Sequence, residues 1–367
     1  MNLPSLDDFL RYEDQWKVYV HPSDRHLFVA GPPGSGKTSL AVERARKLVN
    51  EGQTVCLITK GRLLVAFAGH LGDERVTNTT MHKLVSRDYF TRFGAYAPQS
   101  VKYVFDWGQI IREYAGREVA PALDHLVIDE AQNLPPQFFS WARRFGARVL
   151  DIYADEEQAT SDERSTLREI RDMAALPEPF RLTRNHRNTP EIADVAEHFH
   201  ASAVRLAPGM VVRPSSGEIP ALVKIASYED LIQRALTRLR NRKESIGVIV
   251  RYQKEVDEVL DLVRSRLRPG ERADGYTSET ASGTEADIRL LEPGITVLTG
   301  ESAFGLEFDS VFLVDLARSL PCKDPADKRR MYMLCARARD SLVLVNGPEQ
   351  LSSAALAALP PPPTLKR

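Results

Sequence analysis

Three cysteines in 367 residues, Cys56, Cys322 and Cys335, are too few and too widely spaced for a disulfide framework or a metal-ligand pattern. No apolar run approaches the roughly 20 residues that a membrane span needs, so no membrane partner is expected. Nor does one sign of charge dominate: 49 basic and 50 acidic residues leave a net charge of −1. That balance argues against a protein that coats nucleic acid by bulk charge, but it leaves room for a local basic groove, because only the local field steers a polyanion. The opening residues, Met1-Asn2-Leu3-Pro4-Ser5-Leu6-Asp7-Asp8, lack the basic and apolar regions of a secretion signal, and cytoplasm is the expected compartment. With those classes set aside, 43% hydrophobic and 27% charged residues describe a soluble globular chain, long enough for two ordinary domains.

What is present is concentrated in one short segment. Gly31, Pro32, Pro33, Gly34, Ser35, Gly36, Lys37 and Thr38 match the phosphate-binding pattern G-x-x-x-x-G-K-[ST]. The context fits: His26 to Ala30 reads as a buried strand, and Ser39 to Asn50 reads as a helix. Glycines let the backbone wrap a phosphate, so that its N–H groups and the following helix dipole face the negative charge, with Ser39 in the first turn. Lys37 supplies a point charge to the β and γ oxygens, and the Thr38 hydroxyl suits Mg²⁺. ATP with Mg²⁺ is the expected ligand pair.

A second segment turns binding into hydrolysis. Leu126-Val127-Ile128 is an apolar strand that ends in the paired acids Asp129 and Glu130. A carboxylate at a strand tip holds Mg²⁺ through its water shell, and its neighbour orients and deprotonates the attacking water. Asp129 is therefore assigned to the metal and Glu130 to the general base.

Strand-like and helix-like stretches alternate along the whole chain, which predicts parallel α/β layers. In the first half the strands fall at Leu27–Ala30, Thr54–Thr59, Val76–Asn78, His125–Asp129 and Arg148–Tyr153, with helices at Lys37–Asn50, Arg62–His70, Met81–Tyr89 and Pro136–Phe145. In the second half Ala221–Ile225, Ile246–Val250, Ile295–Leu298, Val311–Val314 and Leu342–Val345 read as strands. Tyr228–Arg242, Lys254–Arg266 and Ala326–Arg339 read as helices. Leu176-Pro177-Glu178-Pro179 cannot continue a helix, which sets a domain boundary at residues 178/179. Pro208–Pro220 and Pro269–Asp287 read as loops or insertions. Residues 356–367, with the run Pro360–Pro363, read as a loose extended tail after a second domain at 179–355.

With both halves in view, the chain resembles a UvrD/Rep-type superfamily 1 DNA helicase. Arg11-Tyr12-Glu13-Asp14-Gln15-Trp16 resembles the family's Q motif, which implies that Gln15 reads adenine. Thr79-Thr80-Met81-His82 resembles a segment that touches single-stranded DNA through Thr80 and His82. Asp129-Glu130-Ala131-Gln132 is similar to the acidic box, and Ala154-Asp155-Glu156-Glu157-Gln158 to the next motif, where Gln158 would sense the γ-phosphate. Leu182-Thr183-Arg184-Asn185-His186-Arg187-Asn188-Thr189 resembles Leu-x-x-Asn-Tyr-Arg-Ser, which implies an arginine finger at Arg187 and adenine stacking by His186. Thr299-Gly300-Glu301-Ser302-Ala303-Phe304-Gly305-Leu306-Glu307-Phe308-Asp309 resembles T-x-H-x-A-K-G-L-E-F-D. That resemblance implies a place for Glu307 at the nucleotide and for Thr299 and Phe304 at nucleic acid. Arg329 to Ala338 resembles R-R-L-x-Y-V-A-x-T-R-A, which implies a second finger at Arg337. The resemblance implies two RecA-like domains with ATP in the cleft between them, single-stranded or tailed duplex DNA as partner, and 3′–5′ polarity.

The sequence also departs from the family. The intervals His82 to Asp129 and Arg187 to Thr299 are too short for the accessory domains 1B and 2B. Ala159-Thr160-Ser161-Asp162-Glu163 carries no stacking aromatic, Glu301 and Phe304 replace a histidine and a lysine, and Ala336 replaces a threonine. Base stacking is worth ~1–3 kcal/mol per base, so these losses predict a weaker hold on single strands. The basic runs Arg143-Arg144 and Lys328-Arg329-Arg330 read as solvated helix faces or as phosphate contacts. Two functions remain open. One is a compact, weakly processive DNA motor. The other is an ATP-hydrolysing switch subunit of a nuclease or defence complex with little unwinding of its own. A small-molecule kinase built on the same loop leaves Arg187, Arg337 and Glu307 unexplained.

Overall fold

Short runs of β-branched and aliphatic residues become the strands of two all-parallel sheets. The structure, a computed structural model, describes residues 11–155, 165–200, 209–277, 279–280, 283–290 and 292–367. Strands buried on both faces read as continuous apolar runs rather than alternating ones. Leu27–Ala30 and Val55–Ile58 are of this kind, with every residue buried. Contacts divide the chain into two units, one running to Thr183 and the other from Arg184 to Arg367, with Pro33–Ser35 counted in the second.

The first unit holds β1 (Leu27–Ala30), β2 (Val55–Ile58), β3 (Thr77–Thr79), β4 (Leu123–Ile128), β5 (Ala147–Ala154) and β6 (Phe180–Arg181). Their order across the sheet is β3-β2-β4-β5-β1-β6. The register pairs Val29 with Tyr153 and Val127 with Asp151, which aligns the carboxyl ends of β4, β5 and β1. Ligands of open parallel sheets bind at such ends. Beneath them lies a core of Phe28, Ile58, Leu126, Ile128 and Ile152, packed against Tyr114, Phe138, Phe139 and Trp141.

The second unit repeats the plan with β7 (Ala221–Lys224), β8 (Ser245–Val250), β9 (Ala273–Tyr276), β10 (Gly294–Thr299), β11 (Phe308–Leu313) and β12 (Ala338–Asn346), in the order β7-β12-β11-β8-β10-β9. The helices Tyr228–Arg242 and Gln253–Arg264 bury Leu231, Leu236, Val256 and Val259 in a core with Ile246, Val248 and Val297. The expected α/β class is what the chain adopts: two six-stranded parallel sheets, a plan consistent with two RecA-like domains. No helix of the described residues is long and apolar enough to cross a membrane.

Four details differ from the sequence expectation. Phe180 and Arg181 lie beyond the expected boundary at 178/179, yet they pair with Val29 and Ala30 as the edge of the first sheet. The polar stretch 269–287 contributes the edge strand β9, because Ala273-Asp274-Gly275-Tyr276 gains its hydrogen bonds from β10 rather than from any apolar pattern of its own. The helix expected to reach Arg339 stops at Cys335, and Ala338 already begins β12. Finally, the proline-rich end is not loose. Ser353–Ala357 is helical, Leu359 and Leu365 are buried, Lys366 N–H donates to Pro220 O at 2.9 Å, and Leu222 N–H donates to Lys366 O at 2.7 Å. Prolines cannot donate, but the leucines and the one lysine between and after them dock the segment beside β7.

Candidate active site

The first unit gathers its chemistry at the carboxyl ends of β1, β5 and β4. The loop after β1 turns through Gly34 and Gly36 at φ of 76° and 86°, left-handed values that favour glycine. Gly36 is constrained twice, since a Cβ there would lie 2.9 Å from the Gln15 amide nitrogen. Gln15 sits buried on the helix Glu13–Tyr19, so the residue expected to read adenine abuts the phosphate loop. The helix Lys37–Asn50 starts directly after Gly36, with Thr38 and Ser39 in its first turn. Lys37 Nζ donates to Gly31 O at 2.6 Å, to Pro32 O at 2.9 Å and to Asp155 Oδ2 at 3.3 Å. Its charge is thus held inside the loop by carbonyls and one carboxylate, all of which a phosphate can replace.

Asp129 closes β4, with only 2% of its surface exposed. Among the described residues no donor meets either of its oxygens with hydrogen-bonding geometry. Burial pushes its carboxyl well up, and the neighbouring Glu130 carboxylate adds to this, while the Thr38 hydroxyl and the Lys37 ammonium nearby oppose it. A buried acid without a partner is costly unless a cation reaches it, so Asp129 and Thr38 fit a divalent metal such as Mg²⁺. Glu130 takes the left-handed φ of 54°, uncommon for a residue with a side chain and a frequent mark of functional strain. Its Oε2 accepts from Gln132 Nε2 at 2.6 Å, and Gln132 Oε1 accepts from Asp155 N–H at 2.9 Å. The fully buried Gln132 therefore links the expected base to the residue that also holds Lys37. Sequence reading quoted Gln132 and Asp155 inside their motifs but gave neither a role. Gln158 lies outside the described residues.

In the second unit the resemblance-derived residues converge on the turn before β12. Arg187 Nε donates to Glu307 Oε2 at 2.5 Å, and Arg339 Nη1 lies 3.8 Å from Glu307 Oε1. Burial alone would raise the Glu307 carboxyl, but Arg187 and Arg339 outweigh it and hold it below the usual range. Arg337 is buried, donating from Nε to Met333 O at 2.8 Å and from Nη1 to Leu306 O at 3.1 Å. Asn185 Oδ1 accepts the N–H groups of Arg187 and Asn188 at 3.0 and 3.1 Å, and Asn188 Nδ2 donates to Ala338 O at 2.5 Å. These two asparagines, unassigned from sequence, fix the backbone that carries Arg187. His186 lies half-buried between them.

Three of the four residues expected at nucleic acid, Thr80, His82 and Thr299, are already engaged within their own units. The Thr80 hydroxyl caps the helix Met81–Phe93 by accepting from Lys83 N–H, and His82 Nε2 lies 2.8 Å from Tyr103 O. Thr299 is buried and caps the turn Gly300–Ala303, accepting from Ser302 N–H, while Phe304 is half-buried. Of the basic run 328–330, Arg330 turns inward to the buried Asp315 and to Glu301, so it is no free phosphate contact. Glu301, in place of a histidine, also pairs with Arg318 at 2.7 Å.

No known protein-family profile matches the chain, and no curated protein matches it. Among solved structures, the chain is similar to the C-terminal domain of a possible DNA helicase from Lactobacillus plantarum WCFS1. That match has 21% identity and a TM-score of 0.34, and covers 49% of this chain and 97% of that one. It is also similar to the PRRSV helicase, with 14% identity and a TM-score of 0.43 over 91% of this chain, which spans 55% of the helicase's length.

Proposed function

We propose that the chain is an ATP-dependent DNA motor of the UvrD type that acts on single-stranded DNA, with 3′–5′ polarity and weak processivity on its own. The observation that carries the nucleotide half is the buried Asp129, which has the Thr38 hydroxyl and the Lys37 ammonium near it but, among the described residues, no donor in hydrogen-bonding geometry at either oxygen, beside a phosphate loop whose lysine is held only by replaceable contacts. The order of motifs from Gln15 to Arg337 supports the motor half.

In this reading, phosphate oxygens displace Asp155 and the loop carbonyls from Lys37, whose charge then offsets that building on the γ-phosphoryl group. Thr38 and Asp129 would hold Mg²⁺, which when bound draws charge from the bridging phosphate oxygens. Glu130, steadied by Gln132, accepts the proton of the attacking water. Arg187 and Arg337 act on the γ-phosphate as fingers. For Arg187 this requires a guanidinium now paired with Glu307 to share itself with an anion of higher charge.

Phosphate release, measured with and without single-stranded DNA, tests this. Lys37→Ala is expected to abolish turnover. Glu130→Gln is expected to keep ATP binding and to slow hydrolysis by about 10²–10⁴-fold. Normal turnover in Glu130→Gln removes it as the base. A second reading, the switch subunit of a nuclease or defence complex, is favoured by one observation: Arg330 and Glu301 are spent on internal ion pairs where the family contacts nucleic acid. An ATPase indifferent to every nucleic acid but stimulated by a partner protein would establish that reading instead.

A further inference from the structure

Four aromatic side chains are largely exposed among the described residues, and three of them, Phe90, Tyr96 and Tyr103, lie within fourteen positions of one another. Tyr96 is 89% and Tyr103 67% exposed. A scattered exposed aromatic needs no explanation; a cluster marks a binding surface. The three rings lie along one helix: Phe90 and Tyr96 meet at its C-terminal end, and Tyr103 is held at its N-terminal end, about 12 Å away along the axis. Residues Gln99–Val101 and Val104–Phe105 form an antiparallel hairpin whose tip is Lys102-Tyr103. His82 Nε2 lies 2.8 Å from Tyr103 O, and its ring lies 5.2 Å from that of Phe105, which ties the tip to the helix Met81–Phe93. Phe90 on that helix meets Tyr96 at 5.9 Å between ring centres.

The turn itself points to a ligand. Tyr103 has φ of 69°, a left-handed value that two-residue hairpins normally give to glycine or asparagine. A bulky tyrosine there strains the turn, and its ring, which faces solvent, recovers nothing by burial. The charge around the rings is positive. Lys83 and Arg87 are exposed on the Phe90 face of the helix, and Lys102 Nζ lies 5.1 Å from the Tyr103 ring centre. The nearby acid Asp88 is committed to Arg92 and to the Tyr114 hydroxyl, each at 2.7 Å, and so does not offset them. Planar rings interleaved with cations suit one occupant: a single nucleic-acid strand, whose bases stack while its phosphates meet ammonium and guanidinium groups.

We propose that Tyr96, Tyr103 and Phe90 form a base-stacking platform for single-stranded DNA. His82 acts as the positioning residue that locks the platform to the helix rather than as a direct contact. The proposal rests on the DNA-motor reading and deepens it, supplying within residues 90–103 the aromatic contacts missing after Gln158.

Anisotropy of a labelled oligo-dT strand with the full-length protein tests it. Tyr103→Ala and Tyr96→Ala are each expected to weaken binding about fivefold or more, with Tyr103→Trp retaining affinity. Tyr103→Gly separates structure from recognition: it relieves the turn, so thermal stability holds or rises while strand affinity falls. The salt dependence of these variants stays that of the parent, since phosphate contacts remain, whereas Lys102→Ala lowers the salt slope by about one. If the unsubstituted protein binds the strand and the tyrosine variants bind equally well, the platform is wrong and the patch is a protein-docking surface. If the unsubstituted protein binds no strand at all, the motor reading falls and the platform with it.

Discussion

The two units treat their acidic residues in opposite ways. In the first, Asp129 is buried with no donor in hydrogen-bonding geometry at either oxygen among the described residues; the Thr38 hydroxyl and the Lys37 ammonium lie near it, and Lys37 pairs with Asp155 instead. In the second, Glu307 is bracketed by Arg187 and Arg339, and Arg337 is anchored on two carbonyls. One cluster is left short of a cation; the other gathers three guanidinium groups around a single carboxylate and keeps an excess of positive charge. A buried carboxylate so poorly compensated is costly, so in the proposed reading the first arrangement is a deficit that a metal–nucleotide complex would remove. The second keeps its guanidinium groups in a defined geometry, through Glu307 for Arg187 and Arg339 and through two carbonyls for Arg337. In the proposed reading the first unit would draw binding energy from the nucleotide and its metal, and the second would supply the charge that acts on the γ-phosphate.

The sharpest way to break this comparison is to remove the stored charge. Arg187→Ala is expected to lower ATP turnover by roughly 10³-fold or more while nucleotide affinity changes little, because a finger acts on charge that develops in the transition state. Arg187→Lys should not restore the rate, since an ammonium cannot hold two oxygens in one plane. Steady-state phosphate release together with equilibrium nucleotide binding reads both quantities. Unaltered turnover in Arg187→Ala would leave the Glu307 pair as a purely structural contact and return the finger role to Arg337 alone.

The deficit in the first unit makes a prediction of opposite sign on stability. Asp129→Asn removes a buried charge but keeps the shape, so the nucleotide-free protein should gain on the order of 1–3 kcal/mol while hydrolysis is lost. The pH dependence follows from the directions of the shifts. Burial and Glu130 raise the Asp129 carboxyl, so its contribution to stability is present below the ordinary carboxylate range and is lost as pH rises through its elevated value. Glu307 is held low, so its contribution is present above that range and is lost as pH falls. Thermal melts of the parent and of Asp129→Asn across pH, with and without Mg²⁺ and nucleotide, separate the two. Stabilisation by Mg²⁺-nucleotide should grow with pH in the parent and be largely absent in Asp129→Asn. Equal stabilisation of both proteins would show that Asp129 is not what the metal satisfies.

How much of this was legible in the sequence depended on how locally each feature is determined. The loop Gly31–Thr38 is dictated by its own backbone demands, two left-handed glycines and a following helix, so its pattern is carried by adjacent residues. Asp129 and Glu130 were equally readable, because a strand of Leu126, Val127 and Ile128 must end at a surface. The Gln132 bridge was not: it exists only because β4 and β5 are neighbours, which brings Asp155 to a residue 23 positions earlier. Arg337 read as helical, but its side chain is drawn inward by Leu306 O from a separate segment. The hairpin at 99–105 escaped notice because Gln99-Ser100-Val101 has no apolar alternation, and its aromatic tip is the reverse of ordinary turn chemistry. The edge strand β9 was hidden likewise, with Gly275 needed where a Cβ would lie 2.6 Å from Leu260.

The smallest expected effect concerns the base. Gln15 is buried on a helix whose end is pinned from the phosphate-loop helix: Arg44 donates to Tyr19 O at 3.4 Å, to His21 O at 2.5 Å and to Pro22 O at 3.1 Å, and pairs with Asp151. The helix therefore stays in place when its glutamine is trimmed, and Gln15→Ala isolates the amide. A glutamine amide can set one of its N–H donors and its carbonyl acceptor side by side, which matches the edge of adenine and mismatches that of guanine, so a wrong base leaves buried groups unpaired. Gln15→Ala is expected to raise the Michaelis constant for ATP about tenfold, the equivalent of about 1.4 kcal/mol of hydrogen bonding, while turnover at saturation changes far less. The rate with GTP should move little, so the preference for ATP should shrink by the same factor. His186→Ala, which removes the expected stacking partner in the other unit, should show the same split between affinity and turnover. An ATP-to-GTP preference that is identical in the parent and in Gln15→Ala would mean that Gln15 serves only to fill the space beside Gly36.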